Sequence, residues 1–310
     1  MPAEPSSDLL LLTCASGKQA SALLPHLSEW KNLRLAVNST ASKQRLEKQY
    51  PHAEVIQTDL YSPTNTAALL KGVNVVIHIG PSYHVHEAEI GYMMIDAAAA
   101  SYQSGTGPLK HFILSSVLNP HLSKMMNHDV KRLAEEYLVE SGIPYTILQP
   151  TTFMDNLPIG MLMQQDKPVF DSAWSLDSKF SWIALQDLAA AIYVVLNERE
   201  RHFYASYPLV STNTTVSFRQ ALTIIGKKIG KDIKMGQRDF QGAVNSLLIR
   251  LYGTTEGVDK RTRDTAERMI LFYDGRGLVG NSNVLEWLIG RRAVQFGEWA
   301  ESKVEEAKVR

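Results

Sequence analysis

The sequence predicts an α/β fold built on a doubly wound, mostly parallel sheet. Short apolar runs alternate with helix-period segments from residue 9 to residue 150, the order that places parallel strands in one sheet with right-handed crossovers. Residues 73–79, Val-Asn-Val-Val-Ile-His-Ile, are almost entirely apolar, as a strand covered on both faces must be. The first apolar run passes through a turn of small residues into a helix, the arrangement that opens a Rossmann-type dinucleotide-binding unit.

That opening stretch organises the rest. Residues 9–13 form the apolar run, residues 14–17 the turn, and Ala20, Leu23, Leu24 and Leu27 recur at helical spacing. Backbone N–H groups at such a helix start can meet a pyrophosphate. The glycine pattern is thinned, because G-x-x-G-x-x-G/A reads Cys14-x-x-Gly17-x-x-Ala20. Cys14 puts a side chain where a tight turn favours none. On these residues alone, a dinucleotide turn and an ordinary buried strand followed by a helix stand level. In the first reading Thr13, Ser16, Gly17, Lys18 and Gln19 contact the cofactor.

Composition narrows the classes. The chain has 310 residues, 45% hydrophobic and 21% charged, which suits one extended α/β domain or two closely joined ones. Lys+Arg and Asp+Glu are both 32, so net charge gives no case for nucleic acid or an anionic membrane as partner. The single cysteine excludes an internal disulfide and fits a reducing compartment. No run reaches transmembrane length, and residues 1–8 lack the basic and apolar regions of a signal peptide. A cytoplasmic protein is expected.

The second strand, residues 33–37, ends in Asn38, Ser39 and Thr40, with Lys43 and Arg45 following. An acid there would grip the ribose 2′-OH of NAD; hydroxyls and cations suit the 2′-phosphate of NADP, unless the segment is only a solvated loop. A third strand, residues 53–57, runs into Asp59 and Leu60. Asp59 either meets the adenine amine or prepares the helix over 63–70. The fourth strand ends at Gly80-Pro81-Ser82-Tyr83, at the carboxyl edge where ligands sit in such sheets. The helix after it carries Ile90, Met93, Met94 and Ala97 as a core stripe. His78, His84 and His86 lack the companions of a tetrahedral site, and no metal is expected.

A fifth strand, 110–116, ends in Ser115 and Ser116; a helix over 127–138 and a sixth strand, 145–150, follow. Further on, strand-like pieces are expected at 179–183 and 202–210. Helices are expected at 185–198, 218–229, 240–252, 261–272, 284–289 and 296–307. Leu157-Pro158 suggests a boundary, giving domains 1–157 and 158–310, with the helix over 185–198 packing back on the first.

These residues resemble the NmrA-like family of atypical short-chain dehydrogenase/reductases, which includes fungal NmrA-like and isoflavone-reductase-like NAD(P)-binding proteins. The resemblance rests on the opening turn, Gly80-Pro81-Ser82, Lys131, the run from Gln149-Pro150 through Phe153 to Asn156, and Asp187-Leu-Ala. It also rests on Phe272 to Asn281 with Glu286-Trp-Leu288, which is similar to fungal members. It implies an NADP-binding Rossmann domain and a smaller α+β carboxyl-terminal lobe for substrate. The family mixes reductases with cofactor-sensing regulators that do no chemistry.

A short-chain reductase polarises a carbonyl with a tyrosine whose pKa is lowered by a lysine four residues on, and a serine steadies the substrate oxygen. Here Lys131 is present but Asn127 occupies the tyrosine position. His128 lies three residues before Lys131, about 60° round a helix, so the two are a candidate proton relay. Tyr83 is a rival acid, and Ser115 the candidate serine, unless it is only a strand-end residue. Phe153, after Pro150, is expected to stack near the nicotinamide or else to pack in a core. Trp174, Phe180 and Trp182 wall an aromatic pocket or form the second lobe's core. Cys14 is expected to be inert. The leading expectation is an NADP-dependent reductase of a small aromatic or conjugated metabolite, a tailoring step in fungal secondary metabolism. The alternatives are a non-catalytic NADP sensor with a protein partner, and redox-neutral chemistry on the same scaffold.

Overall fold

The structure, a computed structural model, describes residues 4–103 and 108–309. In chain order β1 (Leu9–Leu12) leads to α1 (Lys18–Leu23), β2 (Asn32–Val37), α2 (Thr40–Gln49), β3 (Glu54–Gln57) and α3 (Pro63–Leu69). Then come β4 (Val75–Ile79), α4 (Glu87–Gln103), β5 (His111–Ser115), α5 (Met126–Glu140) and β6 (Tyr145–Pro150). The alternation then gives way to β7 (Thr152–Phe153), α6 (Ile159–Gln164), β8 (Val169–Ser172), β9 (Trp182–Ile183), α7 (Leu185–Glu198) and β10 (Ala205–Leu209). The chain closes with α8 (Phe218–Ile229), β11 (Lys234–Gln237), α9 (Phe240–Tyr252), α10 (Lys260–Arg276), α11 (Asn283–Ile289) and α12 (Phe296–Val309).

The main sheet has seven strands in the order β10-β6-β5-β4-β1-β2-β3. β1 pairs in parallel with β2 and β4, β2 with β3, β4 with β5, and β5 with β6. The strand order reverses between β1 and β4, the switch point outside whose carboxyl ends a doubly wound sheet opens a crevice. Every residue of β4 and β5 is buried. Leu11, Val76, Phe112 and Ile147 of the strands join Met94, Ile95 and Leu138 of the helices in one core. Each such side chain contributes about 1.5–3 kcal/mol by leaving water.

The chain divides into two compact units. The first comprises residues 1–121, 128–149 and 188–207; the second, residues 122–127, 150–187 and 208–310. Residues up to Gln149 and residues 188–198 of α7 fall in the first unit, and the run from Pro150 to Asp187 falls in the second. The returning segment has a polar anchor. Arg199, itself at φ +38°, donates to buried Asp8 at 2.5 Å, and Lys110 donates to the other Asp8 oxygen at 2.7 Å. Burial pushes the Asp8 carboxyl up, but the hydrogen bonds from Lys110 and Arg199 outweigh it and hold the group below its usual range.

In the second unit, β8 and β11 pair in parallel, as do β7 and β9. The first pairing was not legible in the sequence, since neither four-residue piece alternates apolar with polar. α8 opens on a reciprocal Ser217–Gln220 cap and closes at Gly230, φ +69°. Phe180 and Trp182 are fully buried among Phe218, Tyr273 and Phe296, so they form this unit's core rather than a pocket wall. Trp174 lies against Phe180 and Tyr273 in the same cluster. The expected strands over 179–183 and 202–210 shorten to β9 and β10. The latter follows a tight segment in which Arg199 and Tyr204 both take positive φ.

Candidate functional site

The turn after β1 takes the backbone form that the thinned glycine pattern demands. Cys14 adopts φ +48°, a left-handed conformation that costs a non-glycine residue on the order of 1–2 kcal/mol. Its carbonyl accepts the Gly17 N–H at 2.9 Å, and a Cβ at Gly17 would come within 3.2 Å of that oxygen. Gly17 then begins α1 with no side-chain cap and no acid in the first turn. The uncapped N–H groups and the positive helix end suit a phosphate-bearing ligand. Burial, and then the charge of Glu87, push the Cys14 thiol up to about 11, so it stays protonated at neutral pH.

Around this turn the other candidates fall into place unevenly. Thr13 is buried at the end of β1; Ser16, Lys18 and Gln19 are at least partly exposed. Arg45 Nη2 donates to Ser16 O at 3.3 Å, which brings a cation to the turn. Asn38 is exposed, Ser39 caps α2 by accepting the Ser42 N–H, and Lys43 makes only a loose pair with Glu47 at 3.7 Å. No acid ends β2. Asp59 does not cap α3; Ser62 does, and Asp59 instead accepts the Tyr61 N–H at 2.9 Å. Leu60 is half-buried beside it.

A cleft in the first unit is lined by His78 and Gly80 from the end of β4 and its loop, Glu87 and Gly91 of α4, Ser115 and Ser116, and Lys131 of α5. Lys131 Nζ donates to Glu87 Oε1 at 2.6 Å, and the other Glu87 oxygen accepts the Tyr83 N–H at 2.9 Å. Ser115 Oγ donates to Gln19 Oε1 at 2.7 Å, tying the end of β5 to α1. Thr13 Oγ1 accepts the Ile79 N–H at 2.9 Å and lies 3.0 Å from both Ile79 O and His78 Nδ1, which ties the His78 ring to the end of β1. Burial, aided by the Lys131 charge, holds the ring down at about 3 and therefore neutral.

His128 and Lys131, the candidate relay pair, each make a hydrogen bond to another residue. His128 is fully buried, and its Nδ1 donates to the Asn119 carbonyl at 3.1 Å. Burial, against that hydrogen bond, lowers its pKa to about 4. The Lys131 ammonium goes to Glu87 instead. Sequence reasoning missed Glu87, because nothing in local spacing links it to a lysine on the next helix. The available signal was an acid in the first turn of a helix that starts at the sheet's carboxyl edge.

Tyr83 sits in the loop of Gly80, Pro81 and Ser82 at φ +68°. Pro150 and Phe153 belong to the second unit, Pro150 buried at the end of β6 and Phe153 half-buried in β7. Asn127 is also in that unit, its amide 3.7 Å from Met269 Sδ. Tyr137 donates to Asp96 at 2.6 Å. Among the described residues no group of three His, Cys, Asp or Glu could hold a metal, and no helix is long and apolar enough to cross a membrane.

Comparison with known proteins gives this geometry a context. The model of the NmrA-like family matches residues 6–306. An NAD(P)H azoreductase of Xenophilus azovorans is 22% identical over 300 residues, covering 95% of this chain and 97% of the relative. The structure of an NADPH-dependent quinone oxidoreductase from Escherichia coli, complexed with NADPH, aligns with TM-score 0.73 at 21% identity, covering 96% of this chain and 100% of that one. That of NmrA, a negative transcriptional regulator, complexed with NAD, aligns with TM-score 0.71 at 17% identity, covering 98% and 99%. At these identities the structures share the fold, and the fold serves both a reductase and a regulator.

Proposed function

The chain belongs to the NmrA-like family, and on that premise we propose that it is an NADPH-dependent reductase of a small quinone, azo or otherwise conjugated aromatic molecule. One observation carries the proposal. A lysine ammonium and a serine, Lys131 and Ser115, line one cleft at the carboxyl edge of the sheet, in the same unit as an uncapped, glycine-started helix. The azoreductase and quinone reductase likenesses support this choice of acceptor.

The residues fit the cofactor. Thr13, Ser16, Gly17, Lys18 and Gln19 would hold the pyrophosphate; Asn38, Ser39 and Lys43, with Arg45, the 2′-phosphate; Asp59 and Leu60 the adenine. Gly80, Pro81, Ser82 and Lys131 would hold the nicotinamide half from the first unit; Pro150 and Phe153 are candidates of the second unit. Bound NADPH supplies the hydride. Lys131 balances the negative charge that develops on the acceptor and delivers a proton to it, and Ser115 orients the same atom. Tyr83 is the rival proton donor.

The finer reading is a tailoring step in fungal secondary metabolism by a cytoplasmic enzyme. The fungal part draws on the likeness of residues 272–281 and 286–288 to fungal members, and the compartment on the single cysteine. Asn127 in place of the usual tyrosine favours a second reading, a cofactor sensor that acts through a protein partner. Turnover separates the two. NADPH oxidation is followed at saturating cofactor with a quinone and an azo dye. The reductase reading expects acceptor-dependent turnover; NADPH binding without turnover on either acceptor favours the sensor.

A further inference from the structure

Glu87 is 6% exposed, and its carboxylate has a partner on each oxygen: the Lys131 ammonium at 2.6 Å and the Tyr83 N–H at 2.9 Å. A buried ion pair adds little net stability over an apolar pair of the same shape, because desolvation offsets the attraction. This one is nonetheless built in from both sides. Gly91 lies one turn beyond Glu87 on α4, and its missing Cβ would stand 3.2 Å from the Ala134 Cβ, which lies about one turn beyond Lys131 on α5. The close approach of the two helices at Gly91 and Ala134 therefore delivers Lys131 to Glu87. The carboxylate also sits in the first turn of α4, where the helix dipole favours negative charge. Its second oxygen holds the loop at Tyr83, a residue in the left-handed region at φ +68°.

We infer that Glu87 is a positioning residue: it fixes the Lys131 ammonium in the cleft and locks the Gly80–Tyr83 loop over it, so that the lysine meets the substrate already oriented. A free lysine side chain has several rotatable bonds and spreads its charge over many positions; an anchored one presents the charge at a single point, which is what transition-state stabilisation requires. This rests on the reading that Lys131 works on the bound acceptor.

The test compares Glu87→Gln, which keeps the shape and removes the charge, with Glu87→Asp and Lys131→Met in the full-length protein. Positioning predicts that Glu87→Gln lowers kcat about tenfold or more with the acceptor KM nearly unchanged, and that Glu87→Asp restores part of it. A folded Glu87→Gln variant with wild-type kcat overturns the inference. A second readout is independent of activity. Cys14, the one cysteine, feels both members of the pair, Glu87 raising and Lys131 lowering its pKa. Its alkylation rate against pH should shift to lower pH in Glu87→Gln and to higher pH in Lys131→Met. If wild-type protein turns over no acceptor, the reductase reading falls. The thiol profile then judges the pair alone: opposite shifts uphold it, and an unmoved profile in Glu87→Gln overturns it.

Discussion

The carbonyl of Cys14 accepts the N–H of Gly17 at 2.9 Å while Cys14 itself stands at φ +48°. The turn therefore keeps the backbone path of a glycine-rich turn without its first glycine. Cys14→Gly removes strain on the order of 1–2 kcal/mol and loses a half-buried thiol of comparable size in transfer energy, about 1 kcal/mol. Stability should change by less than about 1 kcal/mol, and NADPH should bind as tightly or more tightly, because glycine lets phosphate approach the backbone. Fluorescence titration checks this. A clear loss of affinity in the folded variant would give the cysteine a role of its own.

Among the described residues Lys43 has Glu47, 3.7 Å away, as its ion-pair partner, and no acid ends β2. Lys43→Glu should weaken NADPH binding several-fold and leave NADH nearly unchanged, since one phosphate contact carries the difference. Equal losses for both cofactors would remove Lys43 from the 2′-phosphate site.

Buried histidines set an acid limit on stability. Burial holds His78 and His111 at about 3 and His128 at about 4. Each stays neutral in the folded chain while the unfolded chain takes up a proton near pH 6.5. The unfolded state thus binds more protons below that pH, and stability falls as pH drops from about 6.5 toward 4, by about 1.4 kcal/mol per pH unit for each fully shifted histidine. His202, also lowered by burial, adds to the trend; Glu135, raised by burial, opposes it as one group against several. Urea unfolding at pH 7 and pH 5 should show a clear loss at pH 5. A flat profile would contradict the neutral burial of these rings.

His128→Gln separates packing from chemistry. With its ring turned to Asn119 and Lys131 bound to Glu87, the variant should lower stability yet keep kcat within a few-fold. A loss of about 100-fold in a folded variant would return His128 to the proton path.

Much of the fold was legible because local pattern and tertiary demand agree there. Val75–Ile79 reads apolar because it is covered on both faces, and Phe218–Ile229 reads as a helix because its stripe, cap and terminal glycine coincide. β8 and β11 were hidden because each is short and its strand partner lies far away in sequence. At the site, Lys131 was visible through a family-like position, whereas Glu87 was not. Its partner lies on a different helix, and the close approach that joins them depends on Gly91 facing Ala134. The positive φ of Cys14 and of Tyr83 was equally out of reach, since side-chain chemistry there argues against it.

The most direct test of the account is steady-state NADPH oxidation at 340 nm, with saturating NADPH and a quinone acceptor, for wild type and Lys131→Met. In the balanced reaction one hydride from NADPH and one proton convert the quinone to its hydroquinone. The account predicts acceptor-dependent turnover by the wild type and a loss of about 100-fold in kcat for Lys131→Met with the fold preserved. Wild-type turnover that survives intact in Lys131→Met would contradict it.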